Sequence, residues 1–299
     1  MKTVLELTKR NIKLFFKDKG MFFTSLITPA ILLVLYSTFL SNVYRDSFTS
    51  SIPPMFEVDS KLIDGLVGGQ LISSLLAVSC ITVAFCSNFL MVQDRANGTY
   101  KDLNMSPIKP SELALSYYAA TLISTLLICF AATALSFIYI AIIGWYMSFT
   151  DVLLFILDVF ILVLFGTALS SVVNFFLSTQ GQISAVGSIV SSCYGFICGA
   201  YMPLSQFGDG LRKALMFLPG TYATSLLRTH VMGGTFDEMI KNGYPLELVE
   251  GMKETVDCNL DFFGTAVPDG VKLAILGGSV VLLILLYILL NIFGKKREK

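Results

Sequence analysis

Long apolar runs alternate with polar breaks along this chain, and the spacing is that of a lipid bilayer. The runs fall at roughly 22–41, 66–92, 112–142, 152–177, 182–201 and 271–293. Each reaches the roughly 20 residues needed to cross about 30 Å of hydrocarbon at about 1.5 Å per residue. The pattern predicts an all-α polytopic membrane protein with six transmembrane helices. The third run exceeds what a bilayer needs, so that helix is expected to tilt or to stand out into water. Two breaks disturb the rhythm: a short polar stretch at 93–111 and a 69-residue polar segment at 202–270.

Composition agrees with the pattern. Of 299 residues, 55% are hydrophobic and 14% charged, with a mean hydropathy of +0.74. A soluble domain carries nearer about a quarter charged residues. Residues 1–20 are too long and too charged for the start of a signal peptide, and the run that follows is a full span, so no cleavable leader is expected. Of six cysteines, Cys80, Cys86, Cys129, Cys193 and Cys198 lie in apolar runs and Cys258 in the long polar segment. Their spacing suggests neither a metal set nor a disulfide framework.

The zero net charge hides a strong asymmetry. Basic residues crowd the N-terminal tail (Lys2, Lys9, Arg10, Lys13, Lys17, Lys19), the 93–111 stretch (Arg95, Lys101, Lys109) and the C-terminal tail (Lys295, Lys296, Arg297, Lys299), for 13 of the 21 in the chain. Six spans put all three on one side, while segment 202–270 holds nine acids against five bases. The positive-inside rule then makes both termini cytoplasmic. On that topology the acceptor-like triplets Asn97-Gly98-Thr99 and Asn104-Met105-Ser106 face the cytosol and carry no glycan. At 100° per residue, Leu5, Ile12 and Phe16 align, flanked by Val4, Thr8 and Phe15, with Lys2, Glu6, Lys9, Arg10, Lys13 and Lys17 to one side. This is an amphipathic helix expected in the membrane interface, bases toward anionic headgroups.

The stretch 93–111 is too short for a domain and too patterned for a bare loop. Gly98 permits a sharp turn. Thr99 is placed to cap a short helix from Tyr100, with Asp102 at the charge its N-terminus prefers. Pro107 and Pro110 stop that helix, and Ser111 with Glu112 opens the next span. One to two turns result, presenting Tyr100, Leu103 and Met105. There is no nucleophile with a base and no metal set, so the stretch is suited to docking rather than chemistry.

At these residues the chain resembles the ABC-2 type permeases, the membrane subunits of a class of ATP-binding-cassette exporters. Family members carry a segment like E-D-R-x-x-G-T-x-x-x-L-x-x-S/T-P after the second span. Here it stands as Gln93-Asp94-Arg95-Ala96-Asn97-Gly98-Thr99, then Leu103, then Ser106-Pro107, with Gln93 in place of the usual acid. A second match is Cys198-Gly199-Ala200-Tyr201-Met202-Pro203-Leu204. A third is Leu218-Pro219-Gly220-Thr221-Tyr222 with Arg228, where Leu218 departs from the family's Asn.

The resemblance implies an ABC-2 (type V exporter-like) fold in the plasma membrane of a bacterium. It makes Gly98, Thr99, Tyr100, Leu103, Met105, Ser106 and Pro107 a coupling helix that fits a groove on an ATPase subunit, with the N-terminal helix also in reach of that partner. It implies a segment at about 203–228 that dips back into the outer leaflet. In the family the second and fifth spans of two subunits face each other around the substrate path. Here that points to Ser73, Ala77, Phe85 and Phe89 in the second run, and to Ser188, Ser191 and Gly195 in the fifth. No G-x-x-x-x-G-K-[ST] occurs, so the chain lacks the loop that cradles ATP phosphates. ATP and magnesium are then expected on a separate ATPase, in an assembly of two permeases (homodimer or heterodimer) with two ATPase copies.

Polar residues within the runs are few. Asp158 is the candidate for a cation or proton contact in the pathway, the alternative being a near-surface acid that snorkels or is paired at a helix interface. Asn88 and Asn174 suit interhelical hydrogen bonds. His230, the single histidine, falls in the external segment and is expected to be solvent-facing or locally bonded. An intramembrane enzyme would need paired catalytic groups that these spans do not contain. A secondary transporter driven through Asp158 is the alternative to the ATP-driven exporter, and it predicts an internal repeat that is not visible. The length of 202–270 favours a drug, antibiotic, peptide or lipid-like cargo over a polysaccharide.

Overall fold

The computed structural model describes residues 2–53, 56 and 59–294, apart from the side chains of Ser37, Asn104 and Phe293. The basic cluster Lys295, Lys296, Arg297 and Lys299 lies outside the described residues. Helices dominate: α1 (Lys2–Lys17), α2 (Lys19–Leu35), α3 (Ser41–Ser51), α4 (Ser60–Ala96), α5 (Thr99–Met105), α6 (Pro110–Ile143), α7 (Phe149–Phe175) and α8 (Gln180–Ile197). There follow α9 (Asp209–Leu215), α10 (Pro219–Lys241), α11 (Leu246–Thr255), a two-stranded hairpin of β1 (Leu260–Phe262) and β2 (Thr265–Val267), and α12 (Asp269–Gly294). Phe263 and Gly264 both take positive φ between the strands, the two-residue turn that matches strand twist.

Among the described residues, five helical stretches are long and apolar enough to cross a membrane: Lys19–Ser51, Ser60–Ala96, Pro110–Ile143, Phe149–Phe175 and Asp269–Ile292. The chain is a multi-pass helical membrane protein. The helix of the fifth run, α8, is not among the five.

Caps explain why the helices outrun the apolar stretches. The Asp18 side chain accepts the Met21 N–H at 3.1 Å, so α2 begins before the apolar run. It continues through a π-helical turn at Tyr36–Leu40 into polar α3. Asp59, seven residues ahead of the second run, caps α4 by accepting the Lys61 N–H at 2.9 Å. Ser148 with Asp151, and Thr179 with Gln182, form capping boxes that start α7 and α8 ahead of their runs. The third span begins at Pro110 with Lys109 as its N-cap, one residue before the expected Ser111.

The core is α4. Its apolar window is 94% buried inside the chain, enclosed by α2, α6, α7, α8 and α10. Close packing rather than hydrophobicity holds helices together in lipid. At Gly166 on α7 an added Cβ would stand 2.9 Å from the Cys80 carbonyl of α4, so only glycine allows that approach.

Segment 202–270 is largely structured. Its α10 runs antiparallel to α4, with Met232 against Gly69 and Thr235 against Gly65. The stretch expected to dip, 203–228, takes in α9 and the first part of α10; that helix continues to Lys241, and its Leu227, Val231, Met232 and Phe236 are buried.

Candidate functional site

The polar stretch forms a tight elbow at one end of the bundle. Gly98 takes φ +83°, a left-handed conformation that turns the chain from α4 into α5. Gly98 itself, not Thr99, is the N-cap; Thr99 is the first helical residue and makes no capping bond. The helix ends at Met105, and the Ser106 hydroxyl donates to the Leu103 carbonyl at 2.5 Å. Of the three residues expected on the surface, Met105 is 82% exposed. Tyr100 and Leu103 are half-buried against the core instead. Thr99 and Ser106 are half-buried and Pro107 is exposed.

Two neighbouring motif residues tie this elbow to the rest of the molecule. Asp94 is buried; it accepts Arg10 Nη1 from α1 at 2.8 Å and the Tyr117 hydroxyl from α6 at 2.6 Å. The Arg95 Nη1 group donates to the carbonyls of Asn174, Phe175 and Leu177 at 3.3, 2.8 and 3.2 Å, closing the C-terminus of α7. The same guanidinium lies over the rings of Tyr100 and Phe175, 5.2 and 5.6 Å from their centroids. Arg10 thus turns inward rather than toward headgroups. Its helix buries Leu7, Thr8, Asn11 and Phe15, while Leu5 and Phe16 on the apolar line stay exposed. Charge pairing over 84 positions leaves no periodic trace, which is why the helical pattern alone placed Arg10 with the outer bases.

Of the residues assigned to a substrate path, Ser73, Ala77, Phe85 and Phe89 are buried within this chain on α4, which packs against α8, with the Phe89 ring beside Gly187. Ser73 spends its hydroxyl on the carbonyls of Gly69 and Gln70 in its own helix. On α8, Ser188 is exposed, Ser191 half-buried, and Gly195 buried against the Tyr201 ring. Only Ser191 of this set lines the cavity of about 780 Å³ that opens between α2–α3 and α8. Ile31, Phe39 and Tyr44 face it across from Ser192 and Phe196. Sequence reasoning missed the first run as a wall; its one signal was polar Thr24, Thr28 and Ser47 within or beside an apolar helix.

Asp158 is 2% exposed and bonded to the Nδ1 of His230 on α10. His230 is therefore mostly buried and bonded rather than solvent-facing, because α10 packs against α7. Asn88 donates to Ser170 and Ser171 on α7 at 3.1 and 3.0 Å, but neither side-chain polar atom of Asn174 has a partner among the described residues. A second buried ion pair closes the opposite end. Arg228 Nη1 donates to Asp257 Oδ2 at 2.9 Å, and its Nη2 to the Gly199 carbonyl at 2.6 Å. Asp257 also accepts the Leu204 N–H at 2.7 Å, so the turn that follows α8, helix α10 and the loop after α11 are one unit.

No curated protein matches the chain. A family model does: that of the ABC-2 type transporter, over residues 3–232, from α1 to the middle of α10. With the elbow, its two clamps and the buried α4 all inside the matched region, this chain belongs to the ABC-2 type transporter family, the membrane component of ABC transporters.

Proposed function

We propose that the chain is an export permease levered by a separate ATPase through α5. The observation that supports this most is the pair Asp94 and Arg95. A push on α5 reaches α1 and α6 through one side chain and α7 through the next, so a docked partner would move four helices together. In this reading α8 crosses the membrane as the sixth span, about 27 Å of helix at about 1.5 Å per residue. Both termini and α5 face the cytoplasm, and α9–α11 with the hairpin face outward. ATP and magnesium belong to the partner, with two permease and two ATPase copies per assembly. The exposed α8 face and the cavity beside it would be completed by the second permease, enclosing an amphipathic drug, antibiotic, peptide or lipid-like cargo. The carboxylate that an ion-gradient mechanism would use, Asp158, is bonded to His230.

Affinity purification of the tagged chain from its host membranes tests the reading. A polypeptide with a Walker A sequence should be recovered in equal amount, and transport in vesicles should need that subunit and ATP. The purified chain turning over ATP alone, or moving cargo without the subunit, would refute it.

A further inference from the structure

Asp158 on α7 and His230 on α10 meet inside the molecule, Oδ2 to Nδ1 at 2.5 Å, with side chains 2% and 11% exposed. Each helix is committed elsewhere. Arg95 clamps the C-terminus of α7, and Arg228 binds α10 to Asp257 and to the Gly199 carbonyl. The pair is therefore a polar link between the helix held by the elbow and the unit at the opposite end. His230 is also the one histidine of the chain, the side chain whose ordinary titration falls between about pH 5 and 8.

The charges that face the imidazole are acidic. On α7, Asp158 touches it and Asp151 stands about two turns earlier. On α12, Asp269 adds its field, while Lys272 is held by the Asp269 carboxylate and the Cys258 carbonyl, both at 2.7 Å. Helix α4 meets α10 through neutral Gly65 and Gly69, and the loop before α7 lays Tyr146 on Gly234. On α11, Lys253 pairs with Glu250 and lies over Phe236. Along α10 itself, Arg228 pairs with Asp257 and Lys241 with Glu238, and Asp237 is exposed. Burial alone would lower the pKa of His230. The hydrogen bond and charge of Asp158, with Asp269 and Asp151, outweigh burial and raise it above 6.5.

We propose that Asp158 and His230 form an acid-set latch, closed between α7 and α10 while the imidazole carries its second proton and loosened when that proton leaves. Deprotonation turns a charge-assisted contact into a buried carboxylate beside a neutral ring. Because the folded pKa is the higher one, the latch contributes fully below about pH 6.5 and is lost as pH rises through the folded value. That the outer solution sets the latch rests on the topology proposed above.

Thermal unfolding of the full-length chain in detergent, at about pH 6 and about pH 9, tests the latch without reference to topology. The midpoint of wild type should fall by about 2–4 °C more than that of His230→Gln, which keeps a hydrogen-bonding side chain but does not titrate. Asp158→Asn removes the charge that raises the imidazole and leaves burial to lower it, so its midpoint should instead rise with pH relative to His230→Gln. Equal profiles for wild type and His230→Gln, or the wild-type slope kept in Asp158→Asn, would overturn the proposal. ATP-driven transport in vesicles then locates the latch. It should fall as outer pH is raised at fixed inner pH, and His230→Gln should not respond. A response to inner pH alone would overturn the topology and leave the latch standing.

Discussion

Arg10 on α1 and Asp94 at the end of α4 are 84 residues apart in sequence and 2.8 Å apart in space. The contact makes the N-terminal helix part of the same rigid corner as the elbow it precedes. Asp94 is the buried member, and Arg10 is about a third exposed. Removing the guanidinium leaves a buried carboxylate with only the Tyr117 hydroxyl, whereas removing the carboxylate leaves Arg10 its exposure to water and the Asn11 Oδ1. Arg10→Ala should therefore destabilise at least as much as Asp94→Ala, by about 1–3 kcal/mol. The double variant should show a coupling of about 1 kcal/mol in thermal unfolding. Strict additivity would show that the pair does not act as one.

Gly98 sets up a graded series. No atom stands within 4 Å of an added Cβ, so cost there comes from the backbone at φ +83° alone. Asn tolerates this region, Ala loses about 1–2 kcal/mol, and Pro cannot adopt it. Transport should fall in the order Gly, Asn, Ala, Pro. Gly98→Pro should abolish cargo-stimulated ATP turnover while the chain still inserts in membranes. Undiminished transport in that variant would remove the elbow from the mechanism.

Met105 projects into solvent from the middle of the elbow, so its role can be separated from folding. Met105→Asp should leave stability within about 0.5 kcal/mol of wild type. It should nonetheless release the ATPase subunit from the purified assembly. Retention of the subunit at wild-type stoichiometry would move the docking surface elsewhere.

Arg228 and Asp257 form a buried pair at the opposite end, with side-chain exposures of 1% and 6%. Arg228→Lys keeps the charge but cannot reach both Asp257 and the Gly199 carbonyl, so it should not rescue. Arg228→Ala should cost about 3–5 kcal/mol, because it leaves a buried carboxylate without its partner. Chemical denaturation in detergent reads this directly. A loss below about 1 kcal/mol would mean that water replaces the guanidinium.

Asp158→Asn separates a structural pair from an ion-coupling carboxylate. As a latch between α7 and α10, the amide can still bond His230, and ATP-driven transport should persist at reduced stability. Gradient-driven uptake by the wild-type chain alone, lost in Asp158→Asn, would restore the secondary-transporter reading.

The elbow was legible because its signals are local: a glycine that turns, two prolines that stop, and an acid in the first turn act within a few residues. Thr99 was misjudged as the cap because Gly98 can enter the helix without a side chain. His230 and α10 were missed for a different reason. A helix that buries polar Arg228, Thr224 and Ser225 against other helices carries too little apolar weight to stand out as membrane-embedded.

By itself, the sequence determined the class, the order of the apolar helices and the place of the elbow. Lipid demands a run of about 20 apolar residues whatever lies beside it, so run length is written in the chain. Only the tertiary structure decided that α4 is enclosed, that the first span and α8 share the cavity, and which distant charges meet. An apolar side chain is equally at home against lipid or against another helix, so hydropathy does not say which face a span buries. Likewise, Arg10 with Asp94 and Asp158 with His230 are contacts across 84 and 72 positions, and helix packing alone brings them together.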